Sequence, residues 1–403
     1  MSLLATLPAV VGADLTVPVG DGVLPYANLD YAASAPCLAA VQEAVTRALP
    51  TYSSVHRGAG YASQVTTRAY EEARGTVREF LGGPQAVVFV RNTTDAFNLL
   101  ARAVPNGTGV VVFDSEHHAT QLPWRHAVRL TPPATPAAAV AAAREALEAC
   151  PVGPRLLVVT AASNVTGELW PVRELADLAH ACGARIAVDA AQYVAHRPLD
   201  ATGLDYVAFS GHKLYAPFGT GVLAGRADWL RAAAPYLRGG GATRSVALDG
   251  RVEWTADAEQ RHEAGTPNVL GAVALAAACR ELSADWDAVV AAETRLLERL
   301  RSGLAQVPGL RELSLWGPDH PRLGILAFTV EGHSARDVAQ HLADRHGIGV
   351  RDGKFCAHPL LAHLLGGSGG CDEDGTAVRA SLGLGTVDEH VDRLVAGLRE
   401  LVG

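Results

Sequence analysis

Short apolar segments alternate with longer stretches of helical periodicity through the middle of the chain. The apolar segments have the length of buried strands, and each is followed by a polar turn. They cover residues 86–90, 109–113, 155–160, 186–188 and 206–210. The helical stretches between them cover residues 95–103, 131–149 and 171–182. Strands that alternate with helices indicate βαβ units, so the pattern predicts an α/β fold with a mostly parallel sheet.

The pattern changes towards the C-terminus and predicts a second, smaller α+β unit. Its predicted elements are helices over 284–305 and 335–345, strands over 324–330, 348–351 and 378–382, and a final helix. Thr386 and Glu389 have the spacing of a capping box for that final helix. We therefore predict a large domain over residues 29–283 and a small C-terminal domain over residues 284–403. Residues 1–28 are expected to form an N-terminal arm that contributes to the small domain.

Charge and composition narrow the classes of function. The 403-residue chain has a net charge of −8 and no cluster of basic residues interleaved with aromatics, which argues against nucleic-acid binding. We find no run of about 18 apolar residues of the kind that spans a membrane. Six dispersed cysteines without a C-x-x-C pair indicate reduced thiols, and the apolar N-terminus lacks the basic residues of a secretory signal. We therefore expect a cytoplasmic protein.

Polar side chains follow the C-terminal ends of several predicted strands. The ligand-binding edge of an open α/β sheet lies at those ends, so we expect these side chains to meet at one site. The residues concerned are Thr93, Thr94, His117, Asn164, Asp189 and Lys213.

Lys213 is the most informative of these residues. Only two of the 34 basic residues are lysines, Lys213 and Lys354, and all the others are arginines. A primary amine can form a Schiff base with a carbonyl compound, whereas an arginine cannot be deprotonated in a protein. Lys213 is therefore a candidate for covalent attachment of a cofactor. The alternative interpretation is an ordinary surface lysine beside a glycine turn.

The neighbouring residues suit pyridoxal phosphate as that cofactor. Asp189 follows a buried strand and is a suitable partner for the pyridine nitrogen, and Gln192 for the phenolic oxygen. The candidates for holding the phosphate are Thr93, Thr94, Ser210 and His212. His117 is a candidate for stacking on the ring. Thr93 and Thr94 could instead serve as helix caps, and His212 could have a packing role. Metal binding by His117 and His118 is disfavoured, because no cysteine or carboxylate completes a ligand set.

Two further features lie in the predicted small domain. Arg379 lies on an apolar strand and would be costly to bury without an anion, which a substrate carboxylate could supply. Cys356 lies in a loop with Arg351, Lys354 and His358, whose positive charges would favour its thiolate. A lone cysteine is by default a small buried hydrophobe, and spacing alone favours that interpretation.

These residues carry a family resemblance that covers almost the whole chain. The sequence resembles the class V (aspartate aminotransferase-like, fold type I) pyridoxal-phosphate enzymes, and most closely the group II branch of cysteine desulfurases and selenocysteine lyases. The motifs that carry it are residues 29–34, 55–58, 91–94, 116–119, 163–165, 189–192, 210–215, 263–268, the Cys356 loop and residues 379–382. The resemblance implies a large domain with a mostly parallel seven-stranded sheet, a small C-terminal α+β domain and a homodimer.

The resemblance also implies roles for individual residues. Lys213 would bind the cofactor covalently, and His117, Asp189 and Gln192 would contact its ring. The phosphate would be held by Thr94, Ser210 and His212, and by Thr266 from the second subunit. Asn164 and Arg379 would hold the substrate carboxylate, with Arg351 also at the substrate site. In relatives with the pattern R-x-G-x-x-C-A-x-P-L, matched here by residues 351–360, the cysteine is a nucleophile that accepts sulfur as a persulfide.

The resemblance therefore implies a cysteine desulfurase that converts L-cysteine to L-alanine and passes sulfur from Cys356 to an acceptor, which could be a protein. An alternative is another class V reaction on an amino acid, such as an aminotransferase, a carbon–sulfur lyase or an epimerase, that does not use Cys356. A third possibility is a cofactor-bound scaffold with little turnover. A dinucleotide dehydrogenase is poorly supported, because no G-x-G-x-x-G follows an early strand.

The chain departs from the family pattern at four places. These are Asn92, Thr166, His358 and an apparent insertion over residues 366–375, which carries Cys371. They are compatible with a paralogue of different chemistry.

Overall fold

The computed structural model describes residues 7–366 and 375–403. Cys371 and most of the predicted insertion lie outside the described residues. Among the residues that are described, no helix has both the length and the apolar character needed to cross a membrane.

A seven-stranded sheet forms the centre of the larger part of the molecule. Its strands are β4 (Ala86–Val90), β5 (Gly109–Phe113), β6 (Ala127–Leu130), β7 (Arg155–Thr160), β8 (Arg185–Asp189), β9 (Tyr206–Ser210) and β10 (Gly221–Gly225). Their spatial order is β4-β10-β9-β8-β7-β5-β6. Only β10 runs antiparallel to its neighbours. The prediction of a mostly parallel seven-stranded sheet is confirmed.

The strands of this sheet are apolar on both faces because helices cover both faces. Residues along each strand alternate between two hydrophobic clusters: Val111, Leu157 and Val207 belong to one, and Val110 and Leu156 to the other. This alternation follows from the two-residue period of a strand, and continuous apolar strands are typical of parallel sheets with two covered faces. The helices of this part are α1 (Ala39–Ala48), α2 (Tyr61–Phe80), α3 (Thr93–Ala103), α4 (His118–Gln121), α5 (Pro136–Ala149), α6 (Val172–Ala181), α7 (Asp228–Ala232) and α8 (Val269–Ala284).

A four-stranded antiparallel sheet forms the centre of the C-terminal part. Its strands are β13 (Leu310–Leu313), β14 (Ile325–Val330), β16 (Arg351–Gly353) and β17 (Ala377–Ser381), in the order β13-β14-β17-β16. The helices of this part are α9 (Trp286–Leu304), α10 (Ala335–His346), α11 (His358–Leu364) and α12 (Asp388–Val402). One hydrophobic cluster joins α9, α10 and α12 to β14 and β17.

Short pairs of strands complete the fold. They are β1 (Thr16–Val19) with β2 (Gly22–Pro25), β3 (Ala27–Asn28) with β15 (Ile348–Gly349), and β11 (Thr243–Val246) with β12 (Val252–Trp254). The β3–β15 pair is parallel and brings Ala27 and Leu29 into the hydrophobic cluster of the C-terminal part. Residues near the N-terminus thus pack against elements more than 300 residues later in the chain.

The predicted capping box of α12 is wrong. The N-cap residue is Val387, and no side chain caps this helix. Thr386 instead accepts a hydrogen bond from the backbone N–H of Gly383 (3.0 Å). The hydroxyl therefore stabilises the turn that leads into the helix, since a Thr side chain can satisfy either kind of backbone group.

Candidate active site

A cleft of about 360 Å³ lies at the C-terminal ends of the large-sheet strands. It is bounded by residues that follow β4, β5, β7, β8 and β9, and by residues of the four-stranded sheet and the loop after β16. The predicted site residues that line it are Thr93, Thr94, His117, Asn164, Asp189, Gln192, Ser210, His212, Lys213, Arg351, Cys356 and Arg379. Thr266 does not line the cleft; it is exposed in the turn before α8.

Lys213 lies in the cleft three residues after the end of β9. Burial lowers the pKa of its amine to about 8, and the Asp189 carboxylate opposes this decrease. A lysine with such a pKa is partly unprotonated near neutral pH, and only the unprotonated amine is a nucleophile or a base. The amine is therefore suited to attack a carbonyl group and to exchange protons.

Asp189 ends β8 and is buried at the cleft. One carboxylate oxygen accepts a hydrogen bond from the Thr120 hydroxyl (2.6 Å), and the other accepts one from the backbone N–H of Ala191 (2.9 Å). Burial raises the pKa of Asp189, and these two hydrogen bonds oppose the increase. These two hydrogen bonds orient the carboxyl group. A cationic group placed next to it, such as a protonated ring nitrogen, would stabilise its charged form.

The N-terminus of α3 also opens into the cleft. Its cap is Asn92, whose side chain accepts a hydrogen bond from the N–H of Asp95 (3.0 Å), so Thr93 and Thr94 are the first helical residues and not the caps. Ser210 Oγ lies 2.8 Å from the N–H and 2.7 Å from the hydroxyl of Thr93. Helix N-termini favour anions, and the hydroxyl groups beside this one can donate to phosphate oxygens.

A glycine permits this arrangement. Gly221 on β10 passes so close to Asn92 that a Cβ atom at Gly221 would lie 2.5 Å from the Asn92 Cα atom. A larger residue would push the start of α3 away from β9, which carries Ser210. The sequence did not identify this contact, because it depends on the pairing of β10 between β4 and β9.

His117 caps α4 with its ring. Nδ1 accepts a hydrogen bond from the N–H of Ala119 (3.0 Å), so in the neutral ring Nε2 carries the proton. Burial, and next the positive charge of Lys213, lower the pKa of His117 to about 3. The residue therefore presents a neutral imidazole to the cleft.

Cys356 lies in the loop between β16 and α11, and its side chain is exposed at the cleft. Phe355 and Cys356 both have a φ of 52°, which is in the left-handed region that residues other than glycine rarely adopt. Two hydrogen bonds hold the loop: Asn164 Nδ2 donates to the Phe355 carbonyl (2.7 Å), and the His118 N–H donates to the Cys356 carbonyl (2.8 Å). The His118 and His358 rings also contact each other edge to face, with their centroids 4.5 Å apart.

Arg379 is buried on β17, as expected, but it already has an anionic partner. Its Nη2 donates to Asp30 Oδ1 (3.1 Å) and its Nη1 to the Asn164 carbonyl (2.9 Å). The sequence predicted an anion beside Arg379 and offered a substrate carboxylate for it; in the structure Asp30 supplies a carboxylate. Arg379 Nε has no hydrogen-bond partner among the described residues, which leaves a donor for a further acceptor. Arg351, on the adjacent strand β16, is exposed at the cleft margin.

Glu116 is a buried acid that the sequence pattern did not single out. It is fully buried, its Oε1 accepts a hydrogen bond from the Thr160 N–H (3.0 Å), and its Oε2 has no partner among the described residues. Burial raises the pKa of Glu116 well above its usual value; the Thr160 hydrogen bond opposes the increase and the Asp189 charge adds to it. Burial therefore favours the neutral, protonated form of Glu116.

We expect Glu116→Gln to make folding stability less dependent on pH. Because the native pKa of Glu116 is raised, its contribution to stability is present below about pH 4.3, where the unfolded carboxyl is also protonated, and decreases as the pH rises. Glutamine keeps an oxygen for the Thr160 N–H and cannot ionise. Urea unfolding between about pH 5 and pH 8 should show the variant gaining stability over the wild type as the pH rises.

Glu293→Gln is the matched control, because Glu293 is a buried acid in the opposite electrostatic setting. Burial alone would raise the pKa of Glu293, but His196, Arg197 and the N–H of Gly324 outweigh this effect and lower it. Its glutamine variant should lose stability above about pH 4.3, where the native charge is favourable. A Glu116→Gln variant that behaves like Glu293→Gln would contradict the neutral assignment.

Comparisons with known proteins identify the family of this chain and solved structures with a similar fold. The aminotransferase class-V family model matches residues 27–394. A cysteine desulfurase of Dickeya dadantii (strain 3937) is 40% identical over 395 residues, which cover 94% of this chain and 92% of the relative. A solved apo structure of a cysteine desulfurase from Thermococcus onnurineus NA1 has a TM-score of 0.83 at 31% identity and 94% coverage of each chain. The cysteine desulfurase CsdA of Escherichia coli, solved in an S-sulfonic acid form, has a TM-score of 0.79 at 34% identity and covers 94% of this chain and 96% of its own.

Proposed function

Since this chain belongs to the aminotransferase class-V family, we propose that it is a pyridoxal-phosphate-dependent cysteine desulfurase, which converts L-cysteine to L-alanine and takes the sulfur onto Cys356. The observation that carries the proposal is that Lys213, Asp189 and Cys356 line one cleft. A desulfurase needs all three, whereas other class V reactions need only the first two.

The residues of the cleft fit pyridoxal phosphate by the chemistry of their donor groups. Lys213 offers an amine with a lowered pKa, and Asp189 offers a buried carboxylate that two hydrogen bonds orient. The α3 N-terminus offers N–H and hydroxyl groups for a phosphate, with Ser210 and His212 beside it. When bound, the cofactor would supply an electron sink for the electrons left on a substrate carbon.

Other residues would orient the cofactor and the substrate. The neutral ring of His117 would lie against the cofactor ring, and the Gln192 amide, which donates to the Ala32 carbonyl (2.9 Å), would use its second N–H for the phenolic oxygen. Arg379 and Asn164, which both line the cleft, would hold the substrate carboxylate. Arg351 would add positive charge at the cleft margin.

Lys213 would carry out the proton transfer, and Cys356 would carry out the sulfur transfer. The Lys213 amine would take the proton from the substrate Cα, since its pKa is close to the working pH. The Cys356 thiolate would attack the substrate sulfur: an S–S bond forms, the Cβ–S bond breaks, and its electron pair remains with the carbon skeleton. A proton added to Cβ, and return of the proton from the Lys213 amine to Cα, then complete alanine. The product on the protein is a Cys356 persulfide, which an acceptor would remove.

We also propose a cytoplasmic homodimer with a sulfur acceptor that could be a protein. The exposed position of Thr266 suits a residue that reaches the cofactor site of a second subunit. The described cysteines, Cys37, Cys150, Cys182, Cys279 and Cys356, are free thiols, which suits a reducing compartment. We also propose a boundary between residues 28 and 29, after the N-terminal arm, and a boundary between residues 283 and 284, where the small domain begins.

The proposed function is tested by incubating the holoenzyme with L-cysteine in the absence of a thiol acceptor. We expect one alanine for each sulfur bound, and a mass increase of one sulfur atom on the peptide that contains Cys356. Iodoacetamide should trap this sulfur, and dithiothreitol should remove it. Keto-acid formation without alanine, or alanine formation without sulfur on the protein, would contradict the proposal.

A further inference from the structure

A cluster of two histidines and one glutamate lies where α10 meets α12, among the C-terminal elements. His341 and His346 are on α10, Glu400 is on α12, and one ligand atom of each lies within 4.8 Å of the others. The His346 Nε2 atom is 3.4 Å from Glu400 Oε2, and the centroids of the His341 and His346 rings are 5.2 Å apart. None of these residues lines the cleft, and the proposed reaction does not use them.

The hydrogen bond of His341 leaves one lone pair available on its ring. His341 Nε2 lies 3.1 Å from the Gly397 carbonyl, which can only accept, so this nitrogen carries the proton and Nδ1 keeps the lone pair. A histidine that donates one ring N–H to a backbone carbonyl is typical of metal ligands. His346 Nε2 is buried and has no hydrogen-bond partner among the described residues.

The backbone of α12 makes room for this arrangement. A Cβ atom on Gly397 would lie 2.8 Å from His346 Cδ2, so the ring can lie against α12 only because residue 397 is glycine. The nearby cations are Arg345 and Arg393, and Glu389 neutralises Arg393 at 2.9 Å.

We propose that His341, His346 and Glu400 form a binding site for a divalent transition-metal ion of the zinc type. Two imidazoles and one carboxylate are a ligand set that zinc uses when further positions are filled by water. Ligand atoms about 2.1 Å from a tetrahedral ion lie about 3.4 Å apart, which is the observed separation of His346 Nε2 and Glu400 Oε2. A shift of at most about 1.4 Å brings in the third ligand, and the bound ion ties α10 to the C-terminal helix.

The test is a zinc titration of the full-length holoenzyme after chelator treatment and buffer exchange. We expect one Zn²⁺ to bind and to raise the Tm by about 2–5 °C when it is in excess. His346→Gln should weaken this binding at least about 100-fold. Glu400→Gln, at an exposed position where folding is not at risk, should weaken it about 10-fold or more.

Matched control variants distinguish zinc binding at this site from zinc binding by cysteine thiols or by exposed histidines elsewhere. His126→Gln removes an exposed histidine between α4 and β6 and should leave zinc affinity unchanged. Cys356→Ser should also leave it unchanged, whatever the variant does to the proposed desulfurase reaction. With Co²⁺, visible ligand-field bands without a sulfur-to-metal charge-transfer band would support a nitrogen and oxygen site. Equal affinity in the wild type, His346→Gln and Glu400→Gln, or loss of binding only in Cys356→Ser, would overturn the proposal.

Discussion

Replacing Lys213 with alanine is expected to lower the rate of alanine release from L-cysteine by about 10⁴-fold or more. The amine would act both as the covalent attachment point of the cofactor and as the base for the substrate proton, and alanine can do neither. The measurement is steady-state alanine formation under saturating pyridoxal phosphate. Lys213→Arg should be equally inactive, because a guanidinium keeps the charge but cannot be deprotonated.

The low lysine content of the chain makes a direct chemical check unusually clear. After borohydride reduction of the holoenzyme, peptide mapping has to decide between only two lysine side chains, Lys213 and Lys354. We expect the reduced pyridoxyl adduct on the peptide that contains Lys213. An adduct confined to the Lys354 peptide, or full activity of Lys213→Ala with an unchanged Tm, would contradict the assignment.

Replacing Cys356 with alanine is expected to lower L-cysteine turnover by about 100-fold or more and to leave cofactor binding intact. The thiolate would form the S–S bond, while Lys213 and Asp189 would remain in place. Alanine formation reports the loss, and the visible absorbance of the bound cofactor reports the intact site. Together, the two measurements distinguish a desulfurase from other class V enzymes, since an aminotransferase, a carbon–sulfur lyase or an epimerase would not need Cys356.

Two other cysteines serve as controls for this experiment. Cys182→Ser changes a partly buried thiol at the end of α6, away from the cleft, and should leave turnover unchanged. Cys371→Ser should leave both turnover and the sulfur on Cys356 unchanged. If sulfur is found on Cys371 in the wild type, or if Cys356→Ala turns over normally, Cys356 is not the nucleophile.

Local patterns in the sequence were sufficient to predict the central sheet and most of the cleft. Strands such as residues 109–113 are apolar at every position, which distinguishes a strand covered on both faces from an amphipathic one. The strands β6 and β10 were not predicted. The edge strand β6 is partly exposed and has no continuous apolar run, and β10 has a glycine at each end. Their strand character depends on their neighbours.

Contacts between distant residues explain what sequence reasoning missed at the site. Asp30 meets Arg379 across 349 positions of the chain, and Asn164 meets the Phe355 carbonyl across 191. Glu116 lies directly beside the predicted His117, yet only its complete burial in the folded chain reveals that its pKa is raised. No local spacing encodes such pairs.

The sequence by itself determined that an amine, a carboxylate and a helix N-terminus would meet at one sheet edge. Parallel strands must all end at the same edge, so the order of residues along the chain is enough to place side chains that follow those ends. Only the tertiary structure decided that Cys356 lines the same cleft as Lys213 and that Arg379 has Asp30 as its counter-ion. Those groups come from separate parts of the chain, and their distances depend on how two sheets pack together.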